Sequence, residues 1–221
     1  MNFLYPSKPS TIYDCSKLIS TLRDLNKLEN YRVQLKKNGC RAIVLIDENF
    51  VTIKNRQNTI LTISLEKDWS PLAYIFPANT LLDGELIGRK QGEVSNRLYL
   101  WDVPICGGED LTKVSYDERY QELNHLFKSC VRTSTVLYEQ PEWTYAAFGA
   151  IQNQAATIIG VAKSYLAEAW EELLKSVNYI SSTGENEGLV FKDITNHLSW
   201  DRFKTRDIKE QVKFLFKYMK K

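Results

Sequence analysis

The sequence predicts a single α+β domain, and three observations lead to that prediction. The chain has 221 residues, which suits one large domain or one domain with a small appendage. Its composition, 43% hydrophobic and 25% charged residues, is ordinary for a folded globular protein. Apolar patterns typical of strands fill most of the first half, and helical patterns are inserted later.

In the first half, one helix precedes a series of strands. Apolar residues between Cys15 and Leu25 recur at helical spacing and predict an amphipathic helix on the core. Residues 31–36 alternate, so Val33 and Leu35 face one side of a strand, and 41–46 is a nearly continuous apolar run typical of a buried strand. Further strands are predicted at 50–54, 59–65, 81–88 and 97–103.

Helical patterns are prominent in the second half. Ser115 and Glu118 have the spacing of a capping box, and an apolar stripe follows them. Residues 162–177 also show helical spacing and predict a second helix, whereas 188–191 predicts a strand. From Asp207 onward we expect a helical or irregular tail.

Several function classes have no support in the sequence. No apolar stretch approaches the roughly 20 residues of a membrane span, and the N-terminus lacks the pattern of a signal peptide. The four cysteines are irregularly spaced, which favours reduced thiols in a cytoplasmic protein over a zinc site or a disulfide framework. Neither GxxxxGK[ST] nor GxGxxG occurs, so P-loop and dinucleotide-binding folds have no support.

Positive charge is concentrated at the C-terminal end. Residues 202–221 hold eight basic and two acidic side chains, a net charge of +6, and the total of +2 then leaves −4 for residues 1–201. Such a segment suits contact with a polyanion. A solvated, charged helix explains the same pattern equally well.

Four short segments carry chemistry in a fixed order: 36–41, 83–87, 187–192 and 204–206. Lys36 precedes an Asn-Gly turn on the polar side of its strand. A lysine is a nucleophile only when its amine is neutral, so this interpretation requires a depressed pKa. Neighbouring cations lower a lysine pKa by repulsion and also grip a triphosphate. The candidates are Arg41, Lys192, Lys204 and Arg206.

Carboxylates and aromatic rings complete this inventory. Glu85 and Glu187 offer oxygen ligands for Mg²⁺ or acceptors for ribose hydroxyls. Trp101 or Tyr99 offers a ring on which a nucleobase stacks. Taken singly, each feature has an ordinary explanation: a surface lysine, a turn, a core aromatic or a solubilising tail. Their joint occurrence in this order, each at a strand edge, favours a nucleotide-handling site.

The pattern resembles the covalent nucleotidyltransferase superfamily, which comprises ATP-dependent DNA ligases, RNA ligases and mRNA capping enzymes. The resemblance runs from about residue 31 to 206 and implies an ATP-grasp-like ligase adenylation domain, with antiparallel sheets and packed helices. It implies that Lys36 attacks the α-phosphate of the nucleotide and becomes covalently nucleotidylated. It further implies that Arg41 and Glu85 contact the ribose and that Trp101 stacks on the base.

The remaining motifs are assigned by the same resemblance. Arg56, in the loosely matching 55–58 element, contacts the ribose or a nucleic-acid 5′-phosphate. Glu187 is a metal-linked carboxylate, and Lys192 is the basic position that follows it. The late Lys-x-Lys element corresponds to Lys204 and Arg206, where arginine keeps the charge but makes a planar, forked contact.

Two features favour a ligase over a capping enzyme. Glu187-Gly188 followed by Lys192 is similar to the ligase form of its motif, since capping enzymes tend to carry Asp-Gly there. The segments 5–9 and 33–39 are similar to short, phage-type ligase-like proteins. We therefore expect an ATP- and Mg²⁺-dependent ligase that seals nicked or broken nucleic acid with a 5′-phosphate, DNA or RNA. The alternatives are a capping-type guanylyltransferase, a non-catalytic nucleic-acid-binding relative and a globular domain with chance motifs.

The expected domain organisation departs from the family. We expect a nucleotidyltransferase domain over 1–206 and a basic tail over 207–221, with no OB-fold domain. The tail would partly replace that domain through phosphate contacts, made by Lys209, Lys213, Lys217 and Lys220. A partner that supplies the clamp function is the alternative.

Overall fold

Two β-sheets form the framework of the protein. The computed structural model describes residues 10–12, 15–48, 50–61, 68–87, 97–131, 137–139, 143–149, 156–173, 186–195 and 211–215. The architecture is α+β, with mostly antiparallel sheets and few helices, as the sequence predicts.

Most of the described residues belong to helices and strands. The helices are α1 (Cys15–Asp24), α2 (Pro71–Ile75) and α3 (Tyr116–Val131). The strands are β1 (Ser10–Ile12), β2 (Tyr31–Lys37), β3 (Cys40–Ile46), β4 (Val51–Lys54), β5 (Thr80–Ile87), β6 (Arg97–Cys106), β7 (Glu109–Asp110), β8 (Leu137–Glu139), β9 (Trp143–Phe148), β10 (Thr157–Ala162), β11 (Tyr165–Leu166), β12 (Asn186–Asp193) and β13 (Gln211–Leu215).

The smaller sheet has the strand order β1-β13-β12-β2-β11. Its β1–β13 pair is parallel, and its other pairs are antiparallel. The larger sheet has the order β4-β3-β5-β6-β10-β9-β8, with β7 paired to β6. Within it, β10 and β6 run parallel and the remaining neighbours run antiparallel.

One face of the smaller sheet is covered by α1. Cys15, Ile19 and Leu22 on the helix are buried together with Val33 and Leu35 of β2. Because side chains alternate along a strand, the opposite face of β2 carries Arg32, Gln34 and Lys36. The packing of α1 therefore directs this polar set away from its core.

The larger sheet carries the main core on one face. Leu123 and Phe127 of α3 are fully buried in a cluster with the β3, β5 and β6 side chains. The predicted capping box at the start of α3 is confirmed: the Ser115 N–H donates to Glu118 Oε2 at 2.9 Å, and the Glu118 N–H donates to Ser115 Oγ at 3.3 Å. None of the described helices combines the length and apolar character needed to cross a membrane.

Most predicted elements are confirmed: the helix at 15–25, and the strands at 31–36, 41–46, 50–54, 97–103 and 188–191. The strand predicted at 81–88 is confirmed as far as Ile87, and residue 88 lies outside the described residues. The continuous apolar run in β3 is buried at its centre, with Ala42, Ile43 and Val44 at 0% exposure. Of the strand predicted at 59–65, the structure describes residues 59–61, where Ile60 forms a bridge with Lys54; residues 62–65 lie outside the described part of the chain.

The helix predicted at 162–177 is wrong at its start. Ala162 ends β10, and β11 pairs with β2, so extended chain replaces the first turns of the expected helix. The Tyr120 hydroxyl fixes the connection, because it donates to the Ala162 carbonyl at 2.8 Å and accepts the Ser164 N–H at 3.0 Å. A 3₁₀ turn begins at Ala167, and residues 174–185 are not described.

The tail is also different from its prediction over 211–215. There the chain forms β13 between β1 and β12, not a helix or an irregular segment. Val212 and Phe214 are separated by Lys213, a spacing that suits a strand, and the two flanking strands supply the hydrogen-bond partners.

Candidate active site

Lys36 lies near the end of β2, where the two sheets meet. It pairs with Gly188 of β12, and its half-buried side chain belongs to the polar face of β2. Its Nζ donates to the Lys37 carbonyl at 3.4 Å. Burial raises the pKa of the nearby Glu85 carboxyl, and the positive charges of Arg41 and Lys36 oppose that rise. The lysine that the sequence singles out therefore lies beside a carboxylate of the larger sheet.

The Asn-Gly turn after Lys36 contacts strand β5 directly. The Gly39 N–H donates to Glu85 Oε1 at 3.1 Å. A Cβ atom at Gly39 would lie 2.5 Å from the Leu86 carbonyl oxygen and 2.8 Å from Glu85 Cγ. Only glycine allows this approach, which fixes the position of the Glu85 carboxylate relative to the turn.

Arg41 makes an ion pair across β3 and β5. Its Nε and a terminal nitrogen donate to the two carboxylate oxygens of Asp83, which is 2% exposed. Its Cζ lies 4.9 Å from the ring centroid of Trp101, within cation–π range. Burial raises the pKa of Asp83, and the Arg41 charge opposes this rise.

Lys192 lies on β12 and is 3% exposed. Its Nζ donates to the Tyr116 hydroxyl at 3.1 Å and lies 4.3 Å and 5.6 Å from the ring centroids of Tyr116 and Trp101. Burial is the main cause that lowers the pKa of Lys192 to about 7. Nearby Asp102 and Asp83 oppose this shift, whereas the charges of Arg41 and Arg119 add to it. The predicted depressed pKa at Lys36 stays a prediction.

A buried ion pair lies close to Lys192. Arg119 of α3, at 0% exposure, donates from Nε to Asp102 Oδ1 at 2.8 Å and from a terminal nitrogen to Oδ2 at 3.1 Å. The hydroxyl of Tyr116, whose pKa burial raises well above its ordinary value, donates to the Trp101 carbonyl at 3.1 Å. Sequence reasoning missed Arg119. Its position in the apolar stripe, three residues after Tyr116, was the available signal.

Gln34 was also missed. It is 2% exposed, lies two residues before Lys36 on the same face of β2, and neighbours the Tyr116 hydroxyl. Its amide nitrogen has no hydrogen-bond partner among the residues that the structure describes. Because a buried donor without a partner is costly, this N–H is a group that a bound ligand would satisfy.

The remaining predicted site residues lie in exposed, buried or undescribed parts of the chain. Arg56 is exposed in the turn after β4, at the end of the sheet toward which Arg41 lies in β3. Of the two predicted stacking residues, Tyr99 is fully buried with Lys37 Nζ 5.3 Å from its ring centroid, whereas Trp101 is partly exposed. The backbone of Glu187 lies at a register irregularity of β12, and its side chain is not described. Lys204 and Arg206 lie outside the described residues.

Comparison with known proteins gives one family and several similar folds. The family described as mRNA capping enzyme, catalytic domain, matches residues 19–201. No curated protein sequence matches the chain.

Among solved structures, a mycobacterial DNA ligase D complexed with ATP is similar over 84% of this chain and 54% of that chain, with 16% identity and a TM-score of 0.52. A Lig E DNA ligase is similar over 98% of this chain and 69% of that one, with 17% identity and a TM-score of 0.50. An archaeal ATP-dependent RNA ligase is similar over 94% and 47%, with 13% identity and a TM-score of 0.50. The chain thus spans about half the length of the ligase D structure, and at these identities the likeness is one of fold.

Proposed function

Because the chain belongs to the mRNA capping enzyme catalytic-domain family, we propose that it is a nucleotidyltransferase, and specifically an ATP-dependent polynucleotide ligase that works through a covalent lysyl-AMP. One observation carries the proposal. The Lys36 side chain lies where the two sheets meet, near the Glu85 carboxylate, on the strand that pairs with the strand of Lys192. These residues come from distant parts of the sequence, and each belongs to a motif of the superfamily.

In the first step, the neutral amine of Lys36 attacks the α-phosphorus of ATP. A P–N bond forms, the bond from phosphorus to the pyrophosphate oxygen breaks, and the amine loses a proton. The released proton passes to the departing pyrophosphate, and the charge of the nearby Glu85 carboxylate stabilises the positive charge that develops on the amine as the P–N bond forms. The covalent intermediate divides one difficult transfer into easier ones.

Binding of ATP is assigned to the residues around this amine. The ring of Trp101 carries the base, with the Arg41 guanidinium near its face. Lys192, with a pKa of about 7, gains a proton more readily when a phosphate group lies close by, because an opposite charge favours its charged form. Lys204 and Arg206 are proposed to act on the departing pyrophosphate.

Mg²⁺ fits this site through a small set of oxygen ligands. Among the described residues, no group of three or more His, Cys, Asp or Glu side chains could hold a metal alone. Both oxygens of Asp83 are engaged by Arg41, whereas Glu85 has one oxygen beyond the one that Gly39 contacts. Mg²⁺ binds through one or two carboxylates together with substrate phosphates, so Glu85, joined by Glu187, would hold it and it would neutralise phosphate charge.

Two further transfers complete the proposed reaction. The AMP group passes from Lys36 to the 5′-phosphate of a nucleic acid, and a 3′-hydroxyl then attacks that phosphate and releases AMP. Positioning of the two ends, rather than new covalent chemistry, supplies most of the acceleration in such steps. Arg56, exposed at the same end of the larger sheet as Arg41, is proposed to contact the 5′-phosphate.

A capping-type guanylyltransferase is the second candidate, because the matching family is described by that activity. The ligase interpretation draws its support from the Glu187-Gly188…Lys192 form of the motif and from the fold likeness to DNA and RNA ligases. The two candidates differ first in the nucleotide that becomes attached to Lys36.

Mass spectrometry of the full chain after incubation with Mg²⁺ and either ATP or GTP tests the proposal. We expect an AMP adduct on Lys36 with ATP, none in the Lys36→Arg variant, and an unchanged adduct in the control Lys27→Arg, whose side chain is exposed. A GMP adduct would favour the guanylyltransferase. The absence of an adduct with either nucleotide would overturn both candidate functions. If the AMP adduct forms, assays of sealing on nicked DNA, nicked RNA and hybrids distinguish the nucleic-acid substrates.

A further inference from the structure

A single line of paired residues crosses the larger sheet from the candidate site to its far edge. Tyr138 of β8 pairs with Tyr145 of β9, which pairs with Gly160 of β10. Gly160 pairs with Tyr99 of β6, and Tyr99 pairs with Glu85 of β5. Directly paired residues point to the same side of a sheet, so this row lies on the face that carries the candidate site.

The aromatic rings along this row form a continuous series of contacts. The centroids of Trp101 and Tyr99 are 6.3 Å apart, those of Tyr99 and Trp143 5.6 Å, and those of Trp143 and Tyr145 4.8 Å. Tyr138 stacks on Tyr145 with centroids 5.1 Å apart and ring planes 17° apart. These distances lie within the range of favourable aromatic pairs.

The series depends on the absence of a side chain at Gly160. A Cβ atom there would lie 2.5 Å from Trp143 Cε3 and 2.7 Å from Tyr145 Cβ. The glycine therefore allows rings of β9 to lie over β10 and to meet Tyr99 of β6. We call the five residues Trp101, Tyr99, Trp143, Tyr145 and Tyr138 the aromatic row.

From Tyr99 onward, the exposure of the side chains increases along the aromatic row toward the sheet edge. Tyr99 and Trp143 are buried, Tyr145 is partly exposed, and Tyr138 is 46% exposed although Tyr145 covers one side of its ring. Glu139 and its partner Thr144 alternate with Tyr138 and Tyr145 and therefore point to the opposite face, where Glu139 is ion-paired with Lys163 at 2.6 Å. A ring that is stacked on one side and solvated on the other offers a stacking surface for a nucleobase.

We propose that Tyr138 is a stacking platform for an unpaired nucleobase of the nucleic-acid strand that leads into the candidate site. The inference rests on the proposed function for its choice of ligand. Four inter-strand spacings, roughly 19 Å, separate β8 from β5, whose Glu85 lies near Lys36, so one nucleic-acid strand can reach both the platform and Lys36. Aromatic rings on a protein surface bind single-stranded nucleic acid with little regard for sequence, because every base has a π-face.

An unpaired base, rather than an intact duplex, fits the geometry. A base within a duplex already stacks on its neighbours and presents only edges and phosphates to a protein. The free side of Tyr138 requires a base whose face is open. DNA and RNA share this chemistry, so the test includes both.

Fluorescence anisotropy with a labelled single-stranded oligonucleotide, as DNA and as RNA, tests the platform in the full chain. We expect Tyr138→Ala to weaken binding by about tenfold for at least one of the two, the scale expected for one lost base–aromatic stack. Tyr138→Phe keeps the ring and should bind like the wild type. Tyr74→Ala, which removes an 82% exposed ring on α2, is the matched control and should also bind like the wild type.

A second variant keeps the test valid if Tyr138→Ala is unstable. In Tyr138→Trp, a stacked base should quench the new indole fluorescence on titration with the oligonucleotide, and binding should be at least as tight as in the wild type. Wild-type binding by Tyr138→Ala, an equal loss in Tyr138→Phe, or an equal loss with a blunt duplex would each overturn the proposal. Loss in Tyr138→Ala by a protein that forms no nucleotide adduct would sustain the platform and count against the proposed ligation.

Discussion

Arg41 lies directly opposite Glu85 in the β3–β5 register, yet its guanidinium pairs with Asp83, two residues earlier on β5. This diagonal ion pair places the guanidinium 4.9 Å from the Trp101 ring centroid. It also leaves Glu85 to the Gly39 N–H and to the neighbourhood of Lys36. Because Arg41 pairs with Asp83, the Asp83 carboxylate has a structural role, whereas the Glu85 carboxylate is available to a ligand.

The first prediction concerns the stability of that pair. Arg41→Met leaves the Asp83 carboxylate, 2% exposed, without its cation and should lower the free energy of unfolding by about 3 kcal/mol. Adding Asp83→Leu removes the stranded charge, so the double variant should be more stable than Arg41→Met alone. Urea unfolding of the wild type, both single variants and the double variant measures the coupling. Additive losses from the two single variants would contradict an interacting pair.

The sequence predicted much of the framework because its signals are local. The alternation in β2, the apolar run in β3 and the Ser115–Glu118 capping box each act within a few residues, and each is confirmed. The segment at 162–166 was misjudged because its helical spacing also suits a short extended stretch. Pairing with the edge of β2 and the Tyr120 hydroxyl, both distant in sequence, decide its conformation.

The candidate site likewise contains residues that short motifs predict and residues that only the folded structure brings into view. Lys36, Arg41, Glu85 and Lys192 could be predicted as candidates because each belongs to a short motif. Asp83 was adjacent to a motif residue, but its role depends on a diagonal contact between strands. Gln34 and the Arg119–Asp102 pair depend on burial, which no short sequence window reveals.

The second prediction concerns pH. Lys192 has a pKa of about 7 in the folded protein and an ordinary value of 10.5 when exposed. Between these values the unfolded chain holds more protons than the folded one, so stability should rise with pH, by up to about 1.4 kcal/mol per pH unit from this group. Below the folded-state pKa of about 7, the amine is charged in both the folded and the unfolded chain, so the cost of burying it no longer changes with pH. Lys192→Met should lack this rise.

Urea unfolding from about pH 6 to about pH 10 measures the effect as the difference between the wild type and Lys192→Met. The advantage of the variant should be largest at low pH and shrink as pH increases. Lys17→Met, which removes an exposed lysine of α1, is the control and should give a curve parallel to that of the wild type. A constant difference between Lys192→Met and the wild type would rule out the depressed pKa.

The third prediction concerns the unpartnered amide of Gln34. Gln34→Met keeps the volume but removes a buried donor, so the free protein should gain about 1 kcal/mol of stability. Binding of ATP should weaken, because the amide N–H is then no longer there to meet the nucleotide. Thermal unfolding and titration calorimetry measure the two effects. Gln121→Met, on the exposed side of α3, should bind ATP normally. A less stable Gln34→Met with unchanged ATP affinity would refute this role.

The fourth prediction separates close packing from backbone strain at two glycines. In Gly39→Ala the new Cβ would lie 2.5 Å from the Leu86 carbonyl oxygen and 2.8 Å from Glu85 Cγ, so the turn must move away from β5. We expect a loss of roughly 1–3 kcal/mol in stability and slower adduct formation on Lys36, since the Glu85 carboxylate loses the Gly39 N–H. Gly149→Ala, at a φ of +66° with nothing within 4 Å, should cost about 1 kcal/mol through its backbone alone and leave adduct formation unchanged. Urea unfolding and the time course of adduct mass measure both variants. If Gly39→Ala forms the adduct as fast as Gly149→Ala does, the contact between the turn and Glu85 contributes only to folding.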